Sequence, residues 1–160
     1  MDQKTKIKAE NGKQELIITR EFDLPVELLF KAHVEPHLIV QWMSNPHATA
    51  KVLKFEGKKH GSYQLESTDA NGKVVFRSNG VIHQIAENKK IIRTFELENA
   101  PYGVQLEIYE FEKLTDDMSK LKMKVIYESV EFRDRLLELP FAQGINMAHN
   151  QIQDILNKLK

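Results

Sequence analysis

The chain has 160 residues, 41% of them apolar and 29% charged, which suits one globular domain with a single core. Its 23 basic and 23 acidic side chains cancel, so the basic surplus of a nucleic-acid-binding protein is missing. The absence of cysteine excludes disulfides, thiolate metal sites and cysteine nucleophiles, and no apolar run approaches the ~20 residues that span a bilayer.

Residues 1–13 are polar and lysine-rich, lack the apolar stretch of a signal peptide, and read as a flexible arm of a cytoplasmic protein; 14–160 read as the single domain. The run from Glu15 to Arg20 is rich in β-branched residues and predicts a first strand. Asp23 then suits a helix N-cap and Pro25 the first helical position, with the helix continuing through Leu28, Leu29 and Ala32. Pro36 cannot continue that helix and opens a second one carrying Ile39, Trp42 and Met43.

From about 48 to 128 the pattern is strands and turns. Asn71-Gly72 is a hairpin signal, and Gly80 within the long strand 74–86 predicts a bulge or a close packing point. In strand 104–112, Val104, Leu106 and Ile108 occupy one phase and Tyr109 and Phe111 the other, which predicts a phase switch near 108. Leu121, Met123, Val125 and Tyr127 alternate with charged residues, so one face of the last strand is buried. A short helix near 131–138 carries Glu131, Arg133, Asp134, Arg135 and Glu138, read as a solvated face. Beyond Pro140 the apolar residues from Phe141 to Leu159 step by three and four, giving a long amphipathic helix.

Helices segregated from a run of six strands predict an α+β fold with an antiparallel sheet. The long helix must cover the buried face of that sheet, and a curved sheet meets a straight rod poorly. Space between them is the natural place for a small apolar molecule.

The stretch Arg20-Glu21-Phe22-Asp23-Leu24-Pro25 through Ala32 resembles the opening of the polyketide-cyclase/START-like superfamily. It is most similar to the group named after the activator of the Hsp90 ATPase. Glu35-Pro36 and Trp42, His60-Gly61-Ser62-Tyr63, the segments Gly80–Ile85 and Ile91–Phe95, and Gly144-Ile145-Asn146 follow in the order and spacing of that family. The resemblance implies the helix-grip fold, a curved antiparallel sheet wrapped around the C-terminal helix with two short helices after the first strand. It also implies binding of a hydrophobic small molecule, with no shared catalytic set. Two positions depart from the family pattern: Met43 stands where a second tryptophan is common, and His33 where a tryptophan is common.

Candidate ligand-contacting residues come from three regions. The helices after the first strand offer Trp42 and Met43. The sheet offers the aromatics Phe55, Tyr63, Phe95 and Tyr127, with Met123. The long helix offers Phe141, Ile145, Met147, Ala148 and Ile152. Two polar residues could orient a ligand. His83 shares a strand face with Val81 and Ile85, where it would also suit a general base for a cyclase or isomerase. Arg77, six residues before it, could clamp a carboxylate. Neither role outweighs the ordinary one of an edge histidine or an exposed strand arginine.

His33 and His37 have the spacing of two metal ligands on one helix face, but Pro36 interrupts that face and no third ligand is near. No metal or other cofactor is expected, no catalytic residue is assigned, and pairing of two copies is left open. A co-chaperone role fits poorly with only about fourteen residues ahead of the first strand, because the family's namesake carries a further N-terminal domain.

Overall fold

The computed structural model describes residues 4–160. Its elements are β1 (Lys6–Lys8), β2 (Glu15–Phe22), α1 (Val26–Val34), α2 (Pro36–Met43), β3 (Thr49–Phe55), β4 (Ser62–Thr68), β5 (Val74–Ala86), β6 (Lys90–Leu97), β7 (Val104–Lys113), β8 (Ser119–Ile126), α3 (Val130–Leu137) and α4 (Phe141–Asn157). The strands form one open antiparallel sheet in the order β1-β2-β8-β7-β6-β5-β4-β3.

The N-terminal arm differs from its sequence reading, although residues 1–3 lie outside the described residues. Lys6–Lys8 pair with β2. Thr5 is buried, its backbone N–H donates to Asn146 Oδ1, and its hydroxyl lies 2.8 Å from His149 Nδ1. The arm is thus fastened across the domain by groups that a polar stretch of sequence does not advertise.

Each helix start has a local cause. Pro25 is the cap of α1 and lies just outside the helix rather than at its first position. Asp23 makes no side-chain cap; its backbone N–H donates to Gln153 Oε1 at 2.9 Å, and Gln153 Nε2 returns a bond to its carbonyl. That exchange ties the β2–α1 link to α4. Pro36 takes the first turn of α2, where a missing N–H costs nothing. Ser129 caps α3 by accepting from the Phe132 N–H. On α3 the face expected to be solvated is only partly so. Arg133 is 2% exposed and donates to the carbonyls of Glu10 and Glu15, closing backbone groups that the sheet leaves open.

The main core lies where α1 and the C-terminal half of α4 cover β2 and β8, with Leu16, Ile18, Phe22, Leu29, Ile152 and Leu156 nearly free of solvent. Gly72 adopts φ 81° in the β4–β5 turn, as the Asn-Gly pair requires. Gly80 interrupts nothing: β5 is continuous through it and pairs with Tyr63. A Cβ there would press on the Thr94 carbonyl oxygen and lie 2.5 Å from the Tyr63 hydroxyl. Gly80→Ala is therefore expected to cost about 3 kcal/mol or more, read as a fall in the urea midpoint. An unchanged midpoint would show that the two strands yield freely at this point. The irregularity in the pairing of β5 with β6 comes three residues later, between Ile82 and Gln84, and places His83 at a bulge.

Both free edges of the sheet are lysine-bearing. β1 is three residues long with Lys6 and Lys8 exposed, and β3 exposes Lys51 and Lys54 around a register shift between Val52 and Lys54.

Candidate functional site: a cavity between sheet and long helix

The helix α4 is anchored at one end. Its buried residues are His149, Ile152, Gln153 and Leu156, all in the C-terminal half. It packs on α1, α2 and α3, and a gap remains between it and the sheet. The gap is a cavity of about 340 Å³. Inward-facing residues of β4 to β8 form its floor, α2 and α4 its roof, and Tyr102-Gly103 in the β6–β7 turn one rim.

Most of the wall is apolar. Trp42 and Met43 of α2 line it, and the Trp42 indole N–H donates to the Ala32 carbonyl at 2.7 Å, which holds the ring in place. Phe95, Met123 and Tyr127 reach it from the sheet, and Phe141, Ile145, Ala148 and Ile152 from α4. The other candidates lie elsewhere. Phe55 packs with Ile39, Tyr63 and Leu65 in a smaller cluster. Tyr63 is buried behind the cavity wall, under the Arg93 guanidinium. Met147 is 55% exposed.

Arg77 and His83 require correction. The inner face of β5 runs Phe76, Ser78, Gly80, Ile82, so the odd-numbered residues point outward. Arg77 pairs with Glu66 on that outer face. His83 is exposed at the bulge, with the His60 ring 6.3 Å away. It shares its face with Val81, but the bulge separates it from Ile85. Neither side chain lines the cavity, so a general base at His83 has no geometric basis there.

The polar groups that do line the cavity are ones the sequence reading passed over. β7 undergoes no phase switch. Its register with β6 and β8 is unbroken, and Gln105, Glu107, Tyr109 and Phe111 all share the inner phase. Val104 and Leu106 are the exposed residues of that strand, 40% and 36% accessible. Opposite Glu107 on β6 stands Arg93. Its Nε donates to Glu107 Oε1 at 2.8 Å, and Nη2 to the Tyr109 hydroxyl at 2.8 Å. Tyr109 in turn donates to Glu107 Oε1 and Gln105 Nε2 to Glu107 Oε2. The guanidinium lies between the rings of Tyr63 and Tyr109, 4.7 and 5.0 Å from their centroids. Burial works against the charge on Arg93, but Tyr109, Tyr63 and Glu107 outweigh it and raise its pKa. Burial likewise pushes the hydroxyls of Tyr63, Tyr109 and Tyr127 up, keeping them protonated. The Tyr127 hydroxyl is sealed without a hydrogen-bond partner among the described residues.

Two histidines complete the wall. His33, at the end of α1, is buried against Trp42, Tyr109 and Phe111. Burial brings its pKa down to about 4, against the effect of its bond to the Leu29 carbonyl, and the Arg93 charge adds to the lowering. His149 of α4 is brought down to about 3 by burial first, with His33 and Arg20 contributing. His37, in contrast, is exposed beside Glu35, so the two histidines four apart share no site. Among the described residues no group of three or more His, Cys, Asp or Glu converges as metal ligands. Nor is any helix among them long and apolar enough to cross a membrane.

An open antiparallel sheet gripping a C-terminal helix over an interior cavity defines the helix-grip class, and this fold supports a ligand-binding role in general. The sequence profile of the family described as "Activator of Hsp90 ATPase homolog 1-like protein" matches residues 23–157, and the chain belongs to that family. Among solved structures it is similar to a Rhodobacter sphaeroides protein, with a TM-score of 0.87 at 20% identity over 97% of this chain and 99% of that one. It is also similar to a Mycobacterium smegmatis protein, with a TM-score of 0.83 at 21% identity over 95% and 96% of the two chains. These likenesses establish the fold. No curated protein matches the sequence.

Proposed function

We propose that this protein binds a small, mainly apolar molecule, of aromatic, polyketide-like or lipid character, between the sheet and α4. The observation that carries this reading is the cavity itself: about 340 Å³ inside a folded domain, walled largely by aromatic and aliphatic side chains. That volume is at the lower end of the ~300–1,000 Å³ of small-molecule sites, and it suits a compact molecule better than a two-chain lipid. Moving the ligand out of water supplies about 25 cal/mol per Å² of apolar surface. The Arg93–Glu107–Tyr109–Gln105 network gives the otherwise oily wall one polar pole.

Titration with the neutral dye N-phenyl-1-naphthylamine tests the reading. Dye emission should rise to saturation at one equivalent, with Trp42 emission falling in step. Ala148→Trp, which fills the cavity from α4, should reduce dye binding at least tenfold while leaving the circular dichroism unchanged. Unsaturable binding, or binding indifferent to Ala148→Trp, would remove the cavity as the site. Native mass spectrometry of freshly purified protein is the companion measurement, since a retained small molecule would report the ligand class directly.

A further inference from the structure

The polar pole of the cavity contains an acceptor with nothing to accept from. His33 Nδ1 lies 2.8 Å from the Leu29 carbonyl oxygen. A carbonyl only accepts, so Nδ1 carries the proton and Nε2 presents a bare lone pair. His33 lines the cavity and is 8% exposed, and Nε2 makes no hydrogen bond to a described residue. With Nδ1 turned to the helix backbone, Nε2 is the ring nitrogen left for a ligand in the cavity that His33 lines.

A donor lines the same cavity. The Arg93 guanidinium and the His33 ring both pack on Tyr109, at 5.0 and 5.7 Å from its ring centroid. Nε and Nη2 of Arg93 are engaged by Glu107 and Tyr109, while Nη1 makes no hydrogen bond to a described residue. The Arg93–Glu107 pair is neutral as a unit, so this pole offers hydrogen bonds without a net charge.

These groups discriminate among ligand chemistries. A carboxylate would face the His33 lone pair and the Glu107 carboxylate, and Arg93 is already neutralised. An ammonium could donate to His33 Nε2, but its charge would be desolvated beside a pair that carries no net charge. An ether or ketone could accept from Arg93 but would leave the His33 acceptor desolvated, which costs free energy. A hydroxyl donates to His33 Nε2 and brings no charge, so it satisfies the acceptor while its own oxygen can still accept. We propose that the cavity selects an uncharged, mainly apolar ligand bearing a hydroxyl group, phenolic or alcoholic, held at its polar pole by His33. This rests on the ligand-binding reading above and names the chemistry that reading leaves open.

Calorimetric titration with 2-naphthol and 2-methoxynaphthalene provides the test. The two share a ring system and an oxygen, and only the first can donate. The protein should bind 2-naphthol roughly tenfold more tightly, as one hydrogen bond to a buried acceptor allows. In His33→Phe the preference should collapse to about twofold or less, with 2-methoxynaphthalene binding retained. A readout on the unaltered protein stands beside the variant. In long-range ¹H–¹⁵N spectra the His33 Nε2 resonance should move with 2-naphthol and stay in place with 2-methoxynaphthalene. Equal binding of the two probes, a preference that survives His33→Phe, or a stationary Nε2 resonance overturns the inference while leaving the cavity a binding site. Failure of both probes and of the neutral dye to bind overturns the parent reading and this one together.

Discussion

Glu107→Leu is expected to destabilise the domain by about 3–5 kcal/mol, because it strands the Arg93 charge in an apolar cavity. Arg93 draws two of its hydrogen bonds from the Glu107–Tyr109 pair, and its guanidinium is wedged between two tyrosine rings that prevent its escape to solvent. At roughly 2–4 °C per kcal/mol for a chain of this size, the thermal midpoint should fall by about 6–20 °C. Removing both charges is a different matter. Arg93→Met combined with Glu107→Leu leaves no buried ion and should return to within about 2 kcal/mol of the parent, as replacing a whole buried pair usually does. Urea melts of the four proteins complete the cycle. A single variant losing less than about 1 kcal/mol, or a double variant losing the sum of the two singles, would mean that the pair is not coupled as the distances indicate. In a Glu107→Leu protein that remains folded, the unmatched cation should also give the cavity an affinity for 2-naphthoate that the parent lacks.

Acid should loosen the same region. His33 and His149 are buried and neutral, with pKa values of about 4 and about 3 against 6.5 in an open chain. The unfolded chain therefore binds more protons than the folded one below pH 6.5, and stability must fall as pH falls. The contribution is complete above about pH 6.5, shrinks through the interval below it, and is gone near pH 4 for His33 and near pH 3 for His149. The two rings influence each other, so together they are worth on the order of 5 kcal/mol. A stability–pH curve for His33→Phe, compared with that of the parent, isolates one share. The gap between them should change by about 3 kcal/mol between pH 7 and pH 4. Parallel curves would show that His33 is protonated in the fold without penalty.

What could be read from the sequence was what obeys alternation. Leu121, Met123, Val125 and Tyr127 face inward as their pattern requires, and Pro36 and Asn71-Gly72 divide the chain where their backbone limits demand. Trp42, Phe95 and Ile145 were recognisable as wall residues because they are apolar on elements that must face the helix. The polar pole was hidden by the same rule. Gln105 and Glu107 look like surface residues, and Val104 and Leu106 look like core, so β7 reads inside out. A usable signal existed: stepping back by twos from Phe111 and Tyr109 leads to Glu107, and stepping back two from Phe95 leads to Arg93. His83 and Arg77 were misplaced because Val81 and Ile85 bracket a bulge that a single sequence does not announce. Sites that break local rules are where function is commonly found.

The borders of the sheet bear on how this molecule can meet others. One margin is a three-residue ribbon with a cation at each end, and the other is kinked midway and flanked by Lys51 and Lys54. A peptide laid alongside either margin would find few collinear amide partners. Recruitment by an added strand, a common route for proteins with an unclosed sheet, is thereby disfavoured at both sides. Contact through a broad face or a helix avoids that obstacle, and edge-to-edge pairing of two copies would meet it twice.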